Sequence, residues 1–181
     1  DCIDCLAGKY KDAIETFNKI ESMIGISEEI SVQKEKIYVK LGNIASAANE
    51  IQKLIDAFPD ELRYKGMLAE LYVVNDMEDK AFEIYRQILE EDPNNPYANL
   101  SLHDYYKKQG KDQEAFEALK KAFKSDGLDV DTKMKILLSY YSASETDSEL
   151  KDEALTLNKI LIDTHPKSAK AYTIYLSLIH I

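Results

Sequence analysis

Cys2 and Cys5 form a C-x-x-C pair, the spacing of a redox dithiol or of half a zinc site. A structural zinc takes four ligands, and no second Cys/His cluster stands elsewhere in the chain to supply the other two. A redox dithiol would need a strand–helix–strand context that the flanking residues do not offer. The pair therefore reads as ordinary helix residues at a frayed terminus. His103, His165 and His180 are scattered along the chain. His165 precedes Pro166 at a helix end, where a cation suits the helix dipole. The acids Glu90, Glu91 and Asp92 read as an exposed helix end, for which a solvated face is the default. The polar segment 142–148 carries acids but not the D-x-D-x-D-G spacing of a calcium loop. There is no G-x-S-x-G turn, no phosphate-binding glycine loop and no H-E-x-x-H. The expectation is a non-enzyme with no catalytic residue, no cofactor and no metal.

The elements that would position any site are helices. Hydrophobic residues make up 45% of the chain and charged residues 31%, with six Gly, four Pro and no Trp. That balance permits a substantial core, a solvated surface and few helix breaks. The net charge is −10, and among the basic residues only Arg63 and Arg86 are arginine. Such a field repels phosphates, so nucleic acid and anionic membrane surfaces are poor partners. No apolar run approaches the length of a membrane span, and no signal peptide is visible. The first residue is Asp1 rather than Met, which suggests a fragment or a processed form. The compartment, cytoplasm or cell envelope, stays open.

One period organises the chain. Ala13, Ala47, Ala81 and Ala115 recur at intervals of 34, as do Tyr38, Tyr72, Tyr106 and Tyr140. Phe17, Ile51, Tyr85 and Leu119 share that interval, and so do Ile20, Leu54, Ile88 and Ala122. Gly8, Gly42 and Gly110 fall in one phase with Asp76 in the remaining slot; Gly25, Pro59, Pro93 and Gly127 fall in another. Each class has a physical reason. The alanine lets two helices approach closely, and a larger side chain there would overpack at a cost of about 1–3 kcal/mol. The residues four and seven positions later lie on the same helical face. The Gly or Asp slot suits a left-handed turn between helices. The proline stops the second helix, because the residue before it avoids the α region.

This period and residue order resemble the tetratricopeptide repeat (TPR) family, most clearly in copies 62–95 and 96–129. The resemblance covers nearly the whole chain and has a bacterial style, rich in Lys, Glu and Tyr. It implies an all-α fold: a right-handed α-solenoid, or superhelix, of antiparallel helix hairpins. Helices are expected over 11–24, 28–41, 44–58, 61–74, 78–91, 96–109, 113–125, 130–143, 149–164 and 169–180. Asn95 before Pro96 looks like an N-cap, and Ser27, Asp60 and Ser168 are further cap candidates. A single array divides into 1–27 (partial), 28–61, 62–95, 96–129, 130–168 and 169–181 (partial). In the fifth copy the alanine fits at Ala154 rather than at position 149, so five residues are inserted within 142–148, read as a longer surface loop. The last helix, with Tyr172, Tyr175, Leu176, Leu178 and Ile179, is no polar cap. That suggests that the parent chain continues or that this end docks on another molecule.

The resemblance also implies a concave groove lined by the first helix of each hairpin. Carried over to this chain, it includes Arg63, Glu70, Val73, Val74, Tyr97, Leu100, Asp104, Lys108, Met134, Leu138 and Tyr141. Val73, Val74, Tyr97, Leu100, Met134, Leu138 and Tyr141 would form an apolar strip that anchors a peptide or helix. A related subfamily clamps a C-terminal carboxylate with Lys, Asn and Arg. The matching positions here are Val32 and Lys36, then Met67, then Tyr97 and Ser101, of which only Lys36 is basic. His103 occupies a slot that is usually small in the family and reads as a structural histidine. The expected function is a protein-interaction scaffold; alternatives are self-assembly through the solenoid ends and a regulatory segment of a larger protein.

Overall fold

The computed structural model describes residues 2–144 and 148–180, with side chains for 8–143, 150–177 and 179. Among them every regular element is an α-helix: α1 (Cys2–Ile24), α2 (Glu28–Lys40), α3 (Ile44–Ala57), α4 (Leu62–Val73), α5 (Glu78–Glu91), α6 (Pro96–Lys108), α7 (Asp112–Lys124), α8 (Val130–Ser144), α9 (Ser148–Thr164) and α10 (Ala169–His180). None of the described helices is long and apolar enough to cross a membrane. The fold class is the expected all-α one.

The turns follow from single residues. Gly42 and Gly110 have φ of 70°, and Asp76, in the same phase, has φ of 58°. A left-handed residue here lets the backbone close back on the end of the finished helix: Asn43 donates to Tyr38 O, Met77 to Tyr72 O and Lys111 to Tyr106 O. Gly8 does not follow its class. It lies inside α1, which runs unbroken from Cys2, because an interior glycine costs a helix only about 1 kcal/mol. Starts are capped unevenly. Asn95 accepts from Ala98 N–H at 3.1 Å, and Ser168 accepts from Ala171 N–H at 3.4 Å. Ser27 makes no side-chain cap, and the residue before α4 is Glu61 rather than Asp60. Asn43 and Asp129 do cap, accepting from Ser46 N–H at 3.0 Å and Thr132 N–H at 2.9 Å.

The chain packs as two compact units, Asp1–Ile88 and Leu89–Ile181. In the first, Ala47, Ile51, Leu68 and Leu71 form the apolar core, with Tyr38, Val39, Met67, Tyr72 and Ile84 packed around it. In the second, Leu119 and Phe123 of α7 meet Leu137 of α8, Leu157 and Leu161 of α9, and Ala171 and Ile174 of α10. In the alanine class Ala47, Ala81 and Ala115, with Ala154 of the fifth copy, are at most 1% exposed, whereas Ala13 on α1 is half-buried. The extra residues of the fifth copy partly lengthen its helices: α8 has 15 residues and α9 has 17, against 13 each in α6 and α7. Positions 145–147 of the expected loop lie outside the described residues, as do the side chains of Cys2 and Cys5.

Candidate partner-binding surface

In the first unit, α4 carries the predicted groove residues. Arg63, at its start, is already engaged. Its guanidinium donates two hydrogen bonds to Glu28 of α2, at 2.7 and 2.8 Å, and Nε donates to Glu61 at 3.2 Å. The Tyr64 hydroxyl donates to the same Glu28 at 3.0 Å. The Arg63 fork and the Tyr64 hydroxyl hold the Glu28 carboxyl below its ordinary range. Arg63 therefore ties α4 to α2 and is not a free charge awaiting a partner. At the other end of the helix Glu70 is exposed, and Val73 and Val74 are 40% and 69% exposed. Two adjacent valines open to solvent have no role in the core of their unit.

In the second unit the predicted set separates into two groups. Tyr97 on α6 is 65% exposed and Leu138 on α8 is 48% exposed, with Asp104 and Lys108 also at the surface. Met134 is buried and belongs to the core, and Leu100 and Tyr141 pack against the same core. The expectation that Met134 lines an open groove is corrected. It lies one turn before Leu137 and shares that residue's buried stripe. The carboxylate-clamp positions are no better assembled. Met67 packs against the core of the first unit, Val32 and Ser101 are half-buried, and Tyr97 brings no charge. Two clefts in the second unit, of about 430 and 460 Å³, are lined by none of the predicted residues.

Several polar residues inside the core escaped the sequence reading. Lys34 and Lys133 are fully buried, as are Asn99 and Asn158. Asn99 donates to Pro93 O at 3.2 Å and to Asn95 O at 2.8 Å. Lys133 donates to Ser125 O at 2.8 Å. Burial pulls the Lys133 ammonium below its ordinary value, against the opposing charges of Asp126 and Asp129. A signal existed: Ser31, Lys65, Asn99 and Lys133 are spaced by 34, a polar row in the same phase as the apolar classes. His103 is the structural histidine expected. Its Nδ1 lies 3.0 Å from Ala115 O, and its ring lies 6.5 Å from that of Tyr140. His165 departs from its reading as a helix-end cation. Burial, then the charge of Lys133, holds its imidazole below the usual value, and Nδ1 pairs with the Thr164 hydroxyl at 2.8 Å.

Residues 36–96 match the tetratricopeptide repeat family. The chain is similar to the TPR repeat-containing protein YpiA of Bacillus subtilis, with 29% identity over 116 residues that cover 62% of this chain and 27% of that protein. It thus spans about a quarter of that relative's length. Among solved structures it is similar to MamA, with a TM-score of 0.56 and 20% identity over 90% of this chain and 92% of the other. It is also similar to YrrB, described as a TPR protein with an unusual peptide-binding site. There the TM-score is 0.51 and the identity 16%, covering 92% of this chain and 84% of the other.

Proposed function

Since this chain is a multi-repeat TPR protein, we propose that it is an interaction scaffold whose partner is a peptide or a helix seated on the exposed face of the first helices of its hairpins. The observation that carries this reading is the exposure of Tyr97 and Leu138, at 65% and 48%, on α6 and α8. Large apolar side chains on neighbouring hairpins match the anchors of peptide recognition. Val73 and Val74 make a second such site on α4 of the other unit. YrrB, which shares the fold, is described as having a peptide-binding site, and this supports the choice of ligand class.

A displayed peptide library selected on the native chain and on a Tyr97→Ala/Leu138→Ser variant tests the reading. Sequences enriched on the native chain and lost on the variant, with both proteins equally helical, support it. Equal enrichment on both would move the function away from this face.

Self-assembly is a second reading, favoured by one observation. On α10, Tyr172, Leu176 and Ile179 are 44%, 55% and 49% exposed along a single stripe. α10 carries few charges in its span Ala169–His180, so it is apolar on this face as well as on the face that meets the core.

A further inference from the structure

The first unit holds charges where the repeat pattern asks for apolar side chains. Lys34 has the spacing of Leu68 and Leu102, which are core residues, and is itself fully buried. Its ammonium donates to Glu21 of α1 at 3.0 Å and pairs with Glu50 of α3 at 2.9 Å. Lys53 of α3 reaches the same Glu21 oxygen at 3.1 Å and Glu50 at 3.1 Å. Two cations and two anions close a ring across α1, α2 and α3. Glu21 and Glu50 expose only 15% and 5% of their side chains, so this ring is largely desolvated.

Apart from this ring, the described part of α1 contributes half-buried side chains such as Ala13, Ile14 and Phe17. Among its described residues 8–24 none is buried, and none belongs to the apolar core that α3 and α4 share. Its other charged contact is at the rim, where the Lys40 ammonium lies 5.8 Å from the ring centre of Tyr10. Removing one member of a desolvated pair leaves the rest uncompensated. Without Glu21, the two ammonium groups of Lys34 and Lys53 would face the single carboxylate of Glu50. The joint is next to the clasp: Gly25 has φ of 85°, a Cβ there would meet nothing within 4 Å, and its N–H donates to Glu21 O at 2.9 Å.

We propose that the α2–α3 face is a cationic socket, made by Lys34 and Lys53, that accepts a helix presenting one carboxylate, and that α1 is its detachable occupant, clasped through Glu21. The basis is charge complementarity. An excess ammonium within the fold selects an acidic helix and rejects an apolar one that packs equally well. Lys34 lies on the side of α2 that α1 covers, so the socket becomes reachable only when α1 swings away about Gly25.

Hydrogen exchange of the intact chain tests this, comparing Glu21→Gln with Glu15→Gln, which removes an exposed pair with Lys19 on the same helix. In Glu21→Gln the amides of residues 8–24 should exchange about tenfold faster or more, while α3 and α4 keep their rates. Glu15→Gln should leave α1 unchanged. A labelled peptide of residues 8–27 should then bind the Glu21→Gln protein, and the same peptide carrying Glu21→Gln should bind about tenfold more weakly or worse. Unchanged exchange in α1, loss of protection spread equally over α2 and α3, or equal binding of the two peptides would each overturn the proposal.

Discussion

At the scale of single residues the fold rests on a contrast between very small and very well-matched side chains. Ala81 and Ala115 are 1% and 0% exposed at helix–helix contacts with no room for growth. Ala81→Leu and Ala115→Leu should each cost about 1–3 kcal/mol, read as a lowered Tm by circular dichroism. Asn158 is the opposite case. It stands four residues after Ala154, where Ile51 and Leu119 stand four after their own alanines, and it is fully buried. Both polar atoms of its amide lack a hydrogen-bond partner. Asn158→Leu should therefore stabilise the chain, by about 1–3 kcal/mol if the leucine fits the slot as Leu119 does. Equilibrium urea unfolding would show it as a higher midpoint at constant slope.

At the scale of elements, the helices and their turns were readable because each depends on local chemistry. The interval of 34 places Ala, Tyr and the Gly or Asp slot independently of anything distant, and Gly42, Asp76 and Gly110 all have the left-handed backbone expected of that slot. What was not readable depends on which neighbour covers a face. Met134 and Leu138 both sit on α8 and both looked open; only packing on α7, α9 and α10 buries the first and leaves the second exposed. The insertion near 142–148 was visible as a break in phase. Lengthening of α8 and α9 rather than a loop alone was not, because polar residues continue a helix as readily as they leave it. The charge ring around Lys34 was hidden for a related reason: its members lie on three helices, and no spacing rule links Glu21 to Lys53. Acid provides a test at this scale. Burial works to raise the pKa of Glu21, but the hydrogen bonds and charges of Lys34 and Lys53 together outweigh it, holding the carboxyl below its ordinary value of 4.5. Its contribution is complete above that value and is lost as pH falls through the lower folded one. Protection of α1 amides should thus hold from neutral pH to about 5 and fail in stronger acid before α3 opens, as pulse-labelling mass spectrometry would show.

At the scale of the molecule, each unit holds its own core and offers its own exposed apolar face. A face such as Tyr172–Leu176–Ile179 on α10 has a measurable consequence in dilute solution. If copies associate through it, mass by sedimentation should rise with concentration, and Leu176→Glu should abolish that rise without changing helicity. A constant monomer mass for both would leave partner binding as the reading of these surfaces. Residues 36–96 match the tetratricopeptide repeat family, and the chain shares its fold with MamA.

The hydrogen bonds of Asn99 and Lys133 run in one direction along the chain. Each belongs to the first turn of a helix and reaches back to a carbonyl of the turn just completed, Pro93 O and Ser125 O. Every such turn is finished by a residue synthesised after it. A chain growing from its N-terminus can therefore close each hairpin exit only once the following helix has begun to emerge. Trimming from the two ends is correspondingly unequal: removal of a leading hairpin leaves the buried donor of the next one, the Asn99 amide or the Lys133 ammonium, without that acceptor, whereas removal of a trailing one leaves only a carbonyl that water can reach.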